Sequence, residues 1–126
     1  GLLVPVVHGA EKLGLVDLML RLKDITERAV GKKLTPADQE GSTFTISNLG
    51  MYGVESFTSI INQPNSAILS IAGTKEMPVV RNGEVVIRPI MKMSLTSDHR
   101  VINGLGAAKF MQELKATLES PLPLLV

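Results

Sequence analysis

Apolar residues recur along the chain at two periods, and the switches between them mark the elements. From Gly14 to Gly31, Leu15, Leu18, Leu22, Ile25 and Ala29 form a stripe at helical spacing. Arg21, Lys23, Asp24, Glu27 and Arg28 lie mostly off it, so this stretch predicts an amphipathic helix. Asp17 near its start and Gly31-Lys32-Lys33 at its end suit the helix dipole and supply a stop. A second helix is expected from near Asn103 to Pro121, with Ala107, Phe110, Met111, Leu114 and Leu118 on one face and Asn103 suited to cap its start. Between the helices the period drops to two. Thr43 to Ser47 alternates as a strand with one polar face. Ser66 to Thr74 reads as an apolar strand, Val79-Val80 and Val85-Val86-Ile87 flank an Asn82-Gly83 hairpin turn, and Ile90 to Thr96 is another strand. The opening run Leu2 to Val7 is strand-like, while Thr35 to Gly41 and the glycine-punctuated Asn48 to Gly53 are loops. Two helices and five or six strands predict an α+β sandwich, a mixed sheet with helices on one face.

Composition narrows the function. The chain has 126 residues, 44% of them hydrophobic, about one domain with the means for a core. A net charge of +1 and only 3% aromatics argue against a nucleic-acid partner, which would need a basic footprint or stacking platforms. No apolar run reaches the roughly 18–20 residues of a membrane span, so no membrane partner is expected. The absence of cysteine excludes a disulfide framework, a thiolate zinc site and a cysteine nucleophile, and fits a reducing compartment. His8 has no neighbour at metal-ligand spacing and reads as a surface or packed histidine, so no metal is expected. Met91 and Met93 alternate as filler, and Asp98, Arg100 and the Arg81/Glu84 pair read as salt bridges or solvated charges.

Candidate chemistry gathers in Ser97-Asp98-His99-Arg100-Val101-Ile102-Asn103-Gly104, between the last strand and the second helix. Rigid elements on both sides of such a junction fix whatever side chain it presents. An imidazole with an ordinary pKa of about 6.5 can take a proton from a thiol or hydroxyl near neutral pH, yet it can equally be a hydrogen-bonded strand-end histidine. Asn103 does not titrate, so its amide orients a neighbour or caps the helix, or does both. Ser47, on the polar side of its strand, could donate to a developing oxyanion or simply be a solvated cross-strand serine. Nothing around it resembles a nucleophile elbow.

Thr43-Phe44-Thr45-Ile46-Ser47-Asn48-Leu49-Gly50-Met51, Ile60-Ile61-Asn62-Gln63-Pro64, Ala67-Ile68-Leu69 and Asp98-His99-Arg100-Val101-Ile102-Asn103-Gly104 occur in this order. Together they resemble the catalytic domain of the dihydrolipoamide acyltransferases, the E2 components of 2-oxo acid dehydrogenase complexes, over residues 1–126. The Thr45 to Met51 wording is most similar to the acetyl-transferring type, of pyruvate or acetoin complexes. The resemblance implies a fold similar to chloramphenicol acetyltransferase and direct acyl transfer between dihydrolipoamide and coenzyme A as substrates. It implies His99 as general base and Ser47 as oxyanion donor. It also places Asn103 where the family usually has aspartate, an uncharged stand-in that argues against an obligatory charged partner for His99. The implied assembly is a homotrimer with its histidine and serine on different subunits, built into a larger core. The implied compartment is a bacterial cytoplasm or the mitochondrial matrix. Family catalytic domains extend upstream of Gly1, so the chain is expected to be a C-terminal portion. Residues that hold coenzyme A are not identifiable, and the lipoyl and peripheral-subunit-binding modules that engage the E1 and E3 components are expected elsewhere. The apolar run Pro121 to Val126 suits burial against a neighbouring subunit. Two other readings stand beside this one: a non-catalytic scaffold module of such a complex, and a chloramphenicol-type transferase acting on a small hydroxyl substrate.

Overall fold

A computed structural model describes residues 2–125. Its elements are helix α1 (Leu15–Val30), strands β1 (Thr45–Asn48), β2 (Ala67–Arg81) and β3 (Glu84–Ser97), and helix α2 (Gly104–Glu119), with 3-10 turns at Ala10–Lys12, Pro36–Asp38, Gly50–Tyr52 and Leu122–Leu125. The predicted tail is thus a turn as far as Leu125, and Val126 lies outside the described residues. The chain divides into two compact units, Gly1–Thr43 with Lys109–Val126, and Phe44–Ala108.

In the first unit, α1 fills the predicted span between Gly14 and Gly31, and the Gly31 N–H closes on the Glu27 carbonyl at 2.9 Å. Past it, Arg28 pairs with Asp24 one turn back and with Asp38. Asp38 also accepts from the Thr35 N–H and hydroxyl, both at 2.8 Å. These donors, the Arg28 guanidinium first, hold the Asp38 carboxyl well below the usual carboxylate range. The His8 ring reaches the Ala37 carbonyl at 2.9 Å. A carbonyl only accepts, so Nε2 carries the proton and His8 ties the opening run to this turn.

The second unit holds a mixed sheet in the order β1-β2-β3, with β1 parallel to β2 and β2 antiparallel to β3. The sheet has three strands where five or six were expected. The stretches read as separate strands on either side of Lys75-Glu76 fuse into β2, and those around Arg88-Pro89 fuse into β3. Asn82 and Gly83 make the predicted turn, both at positive φ (51° and 79°), which matches the strand twist. The run Leu2 to Val7 joins no ladder, although the Val6 N–H bonds the Asp38 carbonyl at 2.7 Å. Between Ile71 and Thr74 the register shifts, so Ala72 and Gly73 bulge opposite Lys92. β2 is buried almost continuously up to that bulge and largely exposed beyond it.

The core is smaller than the composition promised. Among the described residues the buried apolar set is Ile25, Ala67, Ile68, Leu69 and Ala72. Leu15, Val16, Met19, Leu20 and Leu22 of α1 are all exposed. Apolar surface on this scale is costly to leave in water.

Candidate functional site

His99 sits where β3 gives way to α2, and its neighbours on both sides are fastened. The Asp98 N–H donates to the Ser66 carbonyl at 2.8 Å, extending the β2–β3 pairing one step past Ala67 and Ser97. The Asp98 carbonyl then accepts from Val101 (3.1 Å) and Ile102 (2.9 Å), forming the turn. The Asp98 carboxylate takes the Arg100 backbone N–H at 3.0 Å and grips its guanidinium through both oxygens, the shortest bond being 2.7 Å. That guanidinium, with the Arg100 N–H second, pulls the Asp98 carboxyl down to about 2. The expected salt bridge therefore forms, and it brackets His99 between two anchored residues. The His99 ring is exposed, and it makes no hydrogen bond among the described residues. A free nitrogen lone pair on a fixed backbone is what a general base requires.

Asn103 is the N-cap of α2. Its Oδ1 accepts from the Gly106 N–H at 2.7 Å, and its carbonyl takes the Ala107 N–H at 3.1 Å. The amide is thereby committed to the helix start and does not reach back to the ring of His99. His99 and Asn103 stand one turn apart at the same junction.

Ser47 lies mid-way along β1, half-buried, level with Ser70 on β2 and, through it, with Ser94 on β3. Its hydroxyl makes no hydrogen bond among the described residues. The loop that follows is held hard against β2. Asn48 Oδ1 accepts the Gly50 N–H at 2.8 Å, the Leu49 N–H donates to the Ile71 carbonyl at 3.1 Å, and the Gly73 N–H donates to the Val54 carbonyl at 2.7 Å. Both glycines are required by this approach. A Cβ on Gly50 would meet the Ala72 carbonyl oxygen at 3.0 Å, and one on Gly73 would meet the Gly50 carbonyl oxygen at 3.2 Å.

Ser47 and His99 are not brought together within one chain. His99 is two strands across and beyond the end of β3. At ~3.3 Å per residue along a strand and ~4.8 Å between strands, their Cα atoms stand roughly 15–19 Å apart. One hydroxymethyl and one imidazole do not close that gap to hydrogen-bond range.

A buried polar cluster went unread in the sequence. Thr45, two residues before Ser47 on the same strand face, donates its hydroxyl to Asn65 Oδ1 at 3.3 Å and accepts from Asn62 Nδ2 at 3.4 Å. Ser70 pairs with Ser59, Oγ to Oγ, at 2.7 Å. Asn62-Gln63-Pro64 enters the sequence reading only through the family resemblance, because side chains 17 and 20 residues apart meet without any local periodicity. Among the described residues no group of three or more His, Cys, Asp or Glu could hold a metal ion, and no helix is long and apolar enough to cross a membrane.

Against known proteins, the model of the 2-oxoacid dehydrogenases acyltransferase (catalytic domain) family matches residues 1–126. The acetyltransferase component of the pyruvate dehydrogenase complex of Rickettsia prowazekii is 38% identical over 126 residues, all of this chain and 31% of that protein. A structure of Azotobacter vinelandii dihydrolipoamide acetyltransferase, solved to examine the roles of a serine, a histidine and an asparagine in its mechanism, superimposes with a TM-score of 0.94 at 36% identity. It covers 100% of this chain and 52% of that one. The cubic core of a pyruvate dehydrogenase multienzyme complex gives the same TM-score, 0.94, at 37% identity, with 100% and 52% covered. Succinyltransferase components of 2-oxoglutarate dehydrogenase complexes are relatives too, at 42% and 43% identity. The chain thus spans about a third of the curated relatives it matches and about half of these solved chains. Motif order, α+β fold and comparisons agree: the chain belongs to the family of 2-oxoacid dehydrogenase acyltransferase catalytic domains.

Proposed function

We propose that the chain is part of a catalytic domain that moves an acyl group between dihydrolipoamide and coenzyme A, with His99 as general base and Ser47 as oxyanion donor. One observation carries the assignment of roles. In the Azotobacter vinelandii enzyme the studied serine, histidine and asparagine have the same two spacings as Ser47, His99 and Asn103.

The chemistry suits these side chains. A thiol with a pKa near 8.5 is only a few per cent thiolate at neutral pH. His99 takes the S–H proton as the sulfur attacks the thioester carbonyl. The carbonyl oxygen becomes an oxyanion, and the Ser47 hydroxyl donates to it. When the intermediate collapses, the carbon–sulfur bond to the departing thiol breaks, and the imidazolium returns its proton to that sulfur. Electrostatic stabilisation of this kind typically contributes about 10²–10³ in rate per donor. Asn103 shapes the helix start beside the base and carries no proton.

The separation of Ser47 from His99 within one chain supports a site completed by a second copy, and so a homo-oligomer. We assign it as a trimer built into a larger core. Exposed apolar residues on α1 support burial against further protein. E1 and E3 components are the expected partners of the assembled complex, through modules outside this chain, and the compartment is a bacterial cytoplasm or the mitochondrial matrix. Acetyl is the acyl group favoured by the Thr45 to Met51 wording and by the Rickettsia and Azotobacter proteins. Succinyl is the second reading, favoured by relatives of equal or higher identity. The test is transfer from acetyl-CoA or succinyl-CoA to dihydrolipoamide by the intact assembled protein, with and without His99→Ala. Loss of turnover in His99→Ala by about 10² or more supports the reading, and parental turnover contradicts it.

A further inference from the structure

We infer that Thr45, with Asn62 and Asn65, forms a positioning device that fixes Ser47 and the His99 turn from one buried point; the inference rests on the roles assigned above. Thr45 is 8% exposed and Asn65 6%, so the hydrogen bond between them is sheltered from water. The Thr45 hydroxyl both donates to Asn65 and accepts from Asn62, which locks its rotamer. The Asn65 N–H closes on the Asn62 carbonyl at 2.9 Å, so the two amides belong to one turn, which contains the cis Gln63-Pro64 bond. From this turn the chain leads in two directions. Along β1, Thr45 is followed two residues later by Ser47 on the same face. Along the backbone, Asn65 is followed by Ser66, whose carbonyl holds the Asp98 N–H immediately before His99.

The β1–β2 ladder pairs Thr45 with Ile68 and Ser47 with Ser70, and the Thr45 hydroxyl adds a side-chain tie from the start of β1 to the Asn62–Asn65 turn. The turn therefore sets where the oxyanion donor and the base stand relative to the sheet. In the assembly those two groups serve neighbouring sites, so one buried turn registers two half-sites at once. Misplacing a reacting group by about 1 Å can cost up to about 10²-fold in rate, far more than binding is affected.

The test uses the intact assembled protein. Thr45→Val keeps the size of the side chain but removes the hydroxyl from both asparagines, and Thr45→Ser restores it. The expected result is a fall in kcat of about tenfold for Thr45→Val with KM for both substrates within about twofold, and recovery to within about threefold of the parent in Thr45→Ser. In a Ser47→Ala background, Thr45→Val is expected to cost less than about threefold, because there is no hydroxyl left to position. If Thr45→Val does not assemble, Asn62→Ala, at a half-exposed position, is read by the same criteria. A folded, assembled Thr45→Val with parental kcat, or with an equal loss in the Ser47→Ala background, overturns the inference. If Ser47→Ala itself turns over like the parent, the failure lies in the role assigned to Ser47.

Discussion

Asn103 separates two explanations of the same residue, and the structure sets the size of each. If its work is to start α2, the bond that matters is the Gly106 N–H to Oδ1 at 2.7 Å. Asn103→Ala leaves that donor without its cap, which costs about 1 kcal/mol in typical helices. For a chain of this length, that lowers the unfolding temperature by about 3–6 °C. Asn103→Asp keeps the acceptor and adds a negative charge at the positive end of a 16-residue helix, worth about 0.3–1 kcal/mol in favour of the fold. The two variants are therefore expected on opposite sides of the parent. Thermal unfolding at fixed protein concentration reads this directly, since assembly makes the midpoint concentration-dependent. Transfer assays on the same samples should find Asn103→Asp within about threefold of parental kcat, because the cap geometry near His99 is kept. Asn103→Ala unfolding at the parental temperature, or Asn103→Asp falling as far as Asn103→Ala, would refute the capping argument.

Two further outcomes follow from the same geometry. Asp98 has its carboxyl lowered to about 2 by Arg100, so its contribution is complete above the unfolded value near 3.9 and is lost as pH falls through about 2. Between pH 5 and pH 2 the parent should lose more stability than Asp98→Asn, measured by denaturant unfolding; equal losses would show that the Asp98–Arg100 clamp contributes nothing. Gly73→Ala would put a Cβ 3.2 Å from the Gly50 carbonyl oxygen and 3.3 Å from that of Val54, both backbone atoms. One must retreat, so a loss of about 1–3 kcal/mol is expected, and parental stability would mean that the loop after Ser47 yields freely.

The helices were legible because their ends are chemically marked: Gly14 and Gly31 bracket α1, and Asn103 and Pro121 bracket α2. The hairpin turn was legible for the same reason, since Asn-Gly accepts two positive φ angles. Strand number was not. Lys75-Glu76, Pro78 and Pro89 look like breaks, yet past the bulge β2 has no β1 neighbour and β3 lies at the sheet edge, so each proline can turn its missing N–H to an open side. His99 and Asn103 could be placed by position alone, because the junction is local. The Asp98–Ser66 bond and the Thr45–Asn62–Asn65 cluster could not, because they join segments far apart in sequence. Nor does apolar content reveal what covers it, and much of α1's stripe remains exposed.

The central claim is that His99 and Ser47 act together from different copies. Mixing decides it most directly. His99→Ala and Ser47→Ala proteins, each nearly inactive, are dissociated, combined in equal amounts and reassembled, and transfer to dihydrolipoamide is measured. If each site takes its histidine from one copy and its serine from the next, random assembly restores about a quarter of the parental rate. If both groups act from one chain, every site in the mixture still lacks one of them, and the activity stays at the level of the separate variants.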